Sequence, residues 1–111
     1  VVEDSGFFRQ LVVPGLAAEG YDGVAVEAAG AALRLREAGE AFDAVVSDIE
    51  MPGMDGYAFV RAIREGGAWA ELPVVALSGR TEPDAVAKGR AAGFTDYVGK
   101  YDREALLESL R

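Results

Sequence analysis

The sequence predicts an α/β fold, a doubly wound parallel sheet with helices on both faces, and three observations carry that prediction. Short apolar runs and helix-favouring segments alternate five times along the 111 residues, the pattern left by strand–helix–strand crossovers. Gly20, Gly39, Gly66 and Gly93 each stand between a predicted helix and the next predicted strand, where helix C-termini favour glycine. Val74-Val75-Ala76-Leu77 is apolar without alternation, as a strand covered on both faces has to be. A chain of this length makes one domain that can bury a core without a disulfide or metal staple.

Each element has its own local reason. Val1 to Asp4 reads as the end of a first strand, with two adjacent acids that alternate across the pleat. Ser5 is a suitable N-cap for a helix whose core stripe is Phe8, Leu11, Val12 and Leu16, with Pro14 and Gly15 expected to kink or weaken it. Val24 to Glu27 is a short second strand, and Ala28 to Ala38 is rich in helix formers. Phe42 to Ser47 is the third strand; it delivers Asp48 to its C-terminal end and breaks into a loop at Pro52, Gly53 and the Asp55-Gly56 turn pair. Tyr57 to Arg64 follows as a helix with Phe59, Val60 and Ile63 on its apolar side. The fourth strand runs from Val74 to Leu77 and ends at Ser78-Gly79. Thr81 and Asp84 resemble a capping box for a helix through Ala92. Asp96 to Gly99 is a short fifth strand ending at Lys100. Asp102 caps a last helix carrying Leu106, Leu107 and Leu110, which is still helical at Arg111. The abrupt start at Val1 and this ending predict a fragment of a longer protein, cut at both ends.

Composition narrows the chemistry. The formal net charge is −8, from 19 acidic and 11 basic residues, which argues against nucleic acid or an anionic membrane surface as the partner of this domain. With no cysteine and no histidine, thiol chemistry, histidine metal ligation and Ser-His-Asp catalysis are excluded, and a cytoplasmic setting is expected. No apolar run approaches the roughly 18 residues of a membrane span.

In such a sheet, ligands bind outside the carboxyl ends of the strands, at the point where strand order reverses. Five side chains converge there: Glu3, Asp4, Asp48, Ser78 and Lys100. Three are carboxylates, and like charges so close require a hard divalent cation, a shared proton or the lysine for compensation. For an all-oxygen donor set magnesium fits first, with calcium or manganese next. Taken singly, each residue has an ordinary explanation: Asp48 as a loop acid bonding nearby amides, Ser78 as a hydroxyl finishing its strand, Tyr97 as half-buried packing. Lys100 is less ordinary, because the chain's other lysine is Lys88, in a helix.

Taken together, Val-Val-Glu-Asp, Asp48 before Ile-Glu-Met-Pro-Gly-Met-Asp-Gly, Ser78-Gly79 after Val-Val-Ala-Leu, and Lys100 after Tyr-Val-Gly resemble the receiver domain of two-component response regulators. The resemblance covers residues 1–111 and implies a flavodoxin-like sheet of order 2-1-3-4-5. It implies that Asp48 accepts a phosphoryl group from a phosphohistidine on a histidine phosphotransfer domain. Glu3, Asp4, Asp48 and the Glu50 backbone carbonyl would hold magnesium, Lys100 would pair with Asp48, and Ser78 and Tyr97 would switch on phosphorylation. Where receivers usually carry proline after the lysine, Tyr101 stands here, which leaves that peptide's isomer open. Pro14, Glu-Asp-Ser-Gly-Phe-Phe-Arg and the ending Lys-Tyr-Asp-Arg-Glu-Ala-Leu-Leu resemble receivers at the C-terminus of chemotaxis-type histidine kinases, and some coupling proteins. A weak dimer is compatible with this reading. The alternative is a receiver used without phosphorylation as a protein-interaction module. A small aspartate-based phosphatase is disfavoured, because Glu50 rather than an aspartate follows Asp48 by two residues.

Overall fold

A computed structural model describes residues 1–110. Its elements are α1 (Gly6–Ala18), α2 (Ala29–Glu37), β1 (Val45–Asp48), α3 (Gly56–Arg64), β2 (Val74–Ser78), α4 (Pro83–Ala92), β3 (Asp96–Gly99) and α5 (Arg103–Leu110). The alternation of elements in the sequence is thus realised, but the first two expected strands contract to single bridge residues. Val2 bridges in parallel to Val26 on one side and to Ser47 on the other. Beyond it β1, β2 and β3 follow in order, all parallel, with Val45 opposite Val74 and Ser78 opposite Gly99. The spatial order is therefore the expected 2-1-3-4-5.

Local chemistry sets where each ladder begins and ends. The Val2 amide donates to the Val46 carbonyl at 2.8 Å and the Glu3 amide to that of Val26 at 3.0 Å. At Ser5 the chain already turns, because its Oγ accepts from the Phe8 amide and caps α1, so little ladder remains for Val24 to Glu27 to pair with. β1 starts at Val45 rather than Phe42. Its amide reaches the Pro73 carbonyl at 2.9 Å, but Pro73 has no N–H to extend the pairing backwards.

Side chains alternating across the sheet feed two cores. Val45, Val74 and Ala76 face α2, α3 and α4 through Ala29, Phe59, Ile63 and Ala92, while Val46, Val75 and Leu77 face α1 and α5 through Phe8, Leu16, Leu106 and Leu107. Every residue of β1 and β2 is buried. Arg64 ties off the N-terminal edge of the sheet by donating to the carbonyls of Gly93, Ala70 and Leu72, and Gly93 takes φ 124° where an L side chain is strained.

Two expectations are corrected. Leu11 is 55% exposed and is not core; at 100° per residue it lies about 60° outside the arc from Phe8 to Leu16 that α1 buries. Thr81 and Asp84 form no capping box, since Glu82 is the N-cap without a side-chain bond and Pro83, with its fixed φ, opens α4. α1 runs as one helix through Pro14. The expectation of helix at Arg111 lies outside the described residues.

Candidate functional site

The acidic site is assembled at the carboxyl edge of the sheet by four neighbouring strand ends. Glu3 follows the Val2 bridge, Asp48 ends β1, Ser78 ends β2, and Lys100 stands immediately after β3. Parallel pairing sets them side by side, and the Lys100 amide donates to the Ser78 carbonyl at 2.8 Å, fixing the start of the lysine's reach. Gly56 permits the close packing of α3 behind Asp48: a Cβ there would meet the Asp48 carbonyl oxygen at 2.5 Å. Asp55, expected as half of a turn pair, caps that helix by accepting from the Ala58 amide.

Glu3 and Asp48 are both fully buried, and Asp4 beside them is exposed. The Lys100 ammonium bridges the two buried acids, donating to Glu3 Oε1 at 2.9 Å and to Asp48 Oδ2 at 3.1 Å. Its other side rests over the Phe8 ring, 4.8 Å from the centroid. The expected Lys100 position is thus realised with a trans Lys100–Tyr101 peptide, and the Tyr101 ring packs edge-on against Phe8.

One lysine does not satisfy this cluster. Glu3 Oε2 and Asp48 Oδ1 are buried without a hydrogen-bond partner. Burial pushes the Asp48 carboxyl from 3.8 up to about 7, the neighbouring Glu3 adds to the rise, and Lys100 offsets only part of it. Burial alone would lower the lysine, but the two acids outweigh it and hold its pKa above the ordinary value. Oxygens of Glu3, Asp4 and Asp48 lie within 4.8 Å of one another. With all three ionised against one ammonium the site carries a net charge of about −2, which a divalent cation cancels. The two orphaned oxygens and the hard donor set fit magnesium, and manganese by the same chemistry.

Ser78 is brought to the site but not onto Asp48. Its buried Oγ donates to Glu50 Oε1 at 3.0 Å and accepts from the Arg80 amide at 3.0 Å. Tyr97, half-buried on β3, donates its hydroxyl to the Arg80 carbonyl. The sequence reading gave the Glu50 side chain no partner and did not identify Phe8 as the floor under Lys100. Nothing in the spacing signals either contact, since both depend on how loops and α1 fold over the strand ends.

Fold and site together define a doubly wound α/β domain with a buried acidic pocket and a captive lysine. The family model for the response regulator receiver domain matches residues 1–111, and the chain belongs to that family. It is 36% identical over 109 residues to the response regulator protein FleR of Pseudomonas aeruginosa, covering 97% of this chain and 22% of that protein. A stretch of 58 residues, 52% of this chain and 7% of the relative, is 38% identical to the sensor histidine kinase CheAY of Helicobacter pylori. The chain therefore spans less than a quarter of the length of these curated relatives. Among solved structures, chemotaxis protein CheY4 of Vibrio cholerae superposes with a TM-score of 0.89 at 33% identity, covering 98% of this chain and 91% of that one. Among the described residues no helix is long and apolar enough to cross a membrane.

Proposed function

We propose that this receiver domain accepts a phosphoryl group on Asp48 from a phosphohistidine, in a magnesium-dependent reaction, and releases it again by hydrolysis. An Asp48 oxygen bonds to phosphorus as the phosphorus–nitrogen bond breaks, and the imidazole leaves with the electron pair. The donor is a histidine phosphotransfer domain, since this chain has no histidine. The observation that carries the reading is the buried, under-neutralised pair of Glu3 and Asp48 around Lys100, with one oxygen of each acid unpartnered. Magnesium held by Glu3, Asp4, Asp48 and the Glu50 backbone carbonyl supplies charge neutralisation for a transfer that depends on positioning and electrostatics.

The chain's own groups do the rest. Lys100 pairs with Asp48 at rest and with a phosphoryl oxygen afterwards, a short move from its present position. Ser78 turns its hydroxyl to the phosphoryl group, and Tyr97 follows it through Arg80, altering the surface between α4, β3 and α5. The parent is a chemotaxis-type hybrid histidine kinase carrying this receiver at its C-terminus, working in the cytoplasm; the likeness to CheAY supports it. A coupling protein is the alternative parent. The domain uses no nucleic acid or membrane contact.

The test is intact mass after incubation with magnesium and phosphoramidate. One phosphoryl group, acid-stable and base-labile, is expected on the wild type, and none on Asp48→Ala or after chelation. Equal gain in the mutant removes Asp48 as acceptor; no gain with any donor, including a phosphorylated histidine phosphotransfer domain, favours the non-phosphorylated interaction module.

A further inference from the structure

We propose that Glu50 is a positioning residue that holds the Ser78 hydroxyl away from Asp48 at rest, so that loading Asp48 is coupled to breaking the Ser78–Glu50 hydrogen bond. The inference rests on Asp48 being the phosphoacceptor and adds a restraint on it. Ser78 has one hydroxyl proton, and it is committed to Glu50 Oε1 at 3.0 Å. Asp48 Oδ1, at the end of the adjoining strand, meanwhile goes without a donor. The same proton cannot serve the Glu50 carboxylate and a phosphoryl oxygen together.

The surroundings leave the hydroxyl rotor as the free variable. Ser78 pairs with Gly99, and its carbonyl accepts from the Lys100 amide at 2.8 Å, so its backbone is held on the sheet. The Arg80 amide occupies a lone pair of Oγ at 3.0 Å, and the Arg80 guanidinium stands 4.0 Å from the Glu50 oxygen that takes the proton. Arg80 also carries the Tyr97 hydroxyl on its carbonyl. Glu50 thus stabilises the whole resting set of Ser78, Arg80 and Tyr97 through one charge-assisted bond. A ligand on Asp48 that needs the hydroxyl has to overcome it.

The experiment is a double-mutant cycle read by binding of beryllofluoride, a phosphoryl mimic, to the magnesium-loaded domain, followed by amide resonances next to Asp48. Glu50 is largely exposed, so its replacement leaves the core intact. Glu50→Ala is expected to tighten binding about fivefold to tenfold, tenfold being 1.4 kcal/mol. In a Ser78→Ala background the same substitution is expected to change affinity less than about twofold, because the restrained hydroxyl is gone. An equal gain in both backgrounds would mean that Glu50 acts only by its charge, and no gain in either would mean that it restrains nothing; each overturns the proposal while leaving Asp48 as acceptor. If the wild type binds no beryllofluoride, the phosphoacceptor reading falls with it.

Discussion

At the scale of single residues, Asp48 is the group whose state sets the rest of the site. Its carboxyl is ionised above 3.8 when the chain is unfolded but holds its proton up to about 7 when folded, because burial and Glu3 disfavour the anion. Folding therefore takes up a proton between those values, so stability contributed by this group is fully present below 3.8 and is lost as the pH climbs to about 7. Asp96 runs the other way: a hydrogen bond from Ser109 holds it below the ordinary value, so its contribution is lost on acidification. The two are separated by comparing urea unfolding of wild type and Asp48→Asn without magnesium from pH 4 to 8. The wild type is expected to lose stability relative to the mutant across that range, since Asp96 is common to both. Parallel curves would show that Asp48 ionises freely in the folded state. Of the site, Glu3, Asp4, Asp48, Ser78 and Lys100 were legible in the sequence because each ends a strand, and topology alone brings strand ends together. Glu50 holding Ser78 was not legible, because a loop carboxylate two residues from Asp48 is free to face solvent until the loop is built.

Elements position these residues through a few close approaches. The tightest is that of α3 on β1 at Gly56, where an added Cβ would meet the Asp48 carbonyl oxygen at 2.5 Å and the Ile49 Cα at 2.7 Å. Both are backbone atoms and do not rotate away. Gly56→Ala is therefore expected to destabilise the domain by about 1–3 kcal/mol, the usual cost of overpacking. It should also displace the end of β1, so that magnesium binds more weakly at equal folded fraction. A urea midpoint within error of wild type would show that α3 shifts without cost. α3 was read to within one residue from its apolar stripe of Phe59, Val60 and Ile63, and the start of α5 from the cap at Asp102. The first two strands were not, since a strand's visible length depends on its partner, and Ser5 turns the chain after Glu3. Likewise Leu11 has a core residue's chemistry and helical spacing. Only the angular position of α1 against Leu106 and Leu107 leaves it outside.

Across the whole molecule, the acidic site and the only tryptophan occupy opposite edges of the sheet. Trp69 is buried, packs edge-on against Phe42 and donates its Nε1–H to the Glu40 carbonyl at 2.9 Å, all ahead of the start of β1. β1 alone, from Val45 to Asp48, sets the two edges about 10 Å apart at ~3.3 Å per residue. A cation at Glu3, Asp4 and Asp48 therefore does not touch the indole, yet it stabilises the fold to which the indole belongs. Binding the native state alone raises stability by about 2.7 kcal/mol at a hundred times the dissociation constant. Magnesium is thus expected to leave Trp69 emission of the folded domain unchanged while moving its urea midpoint upwards, and Asp48→Ala should lose most of that shift. Strong quenching at low magnesium would put the cation near Trp69. An unchanged midpoint would mean that the three carboxylates do not bind magnesium and that Lys100 alone, or a retained proton on Asp48, balances them.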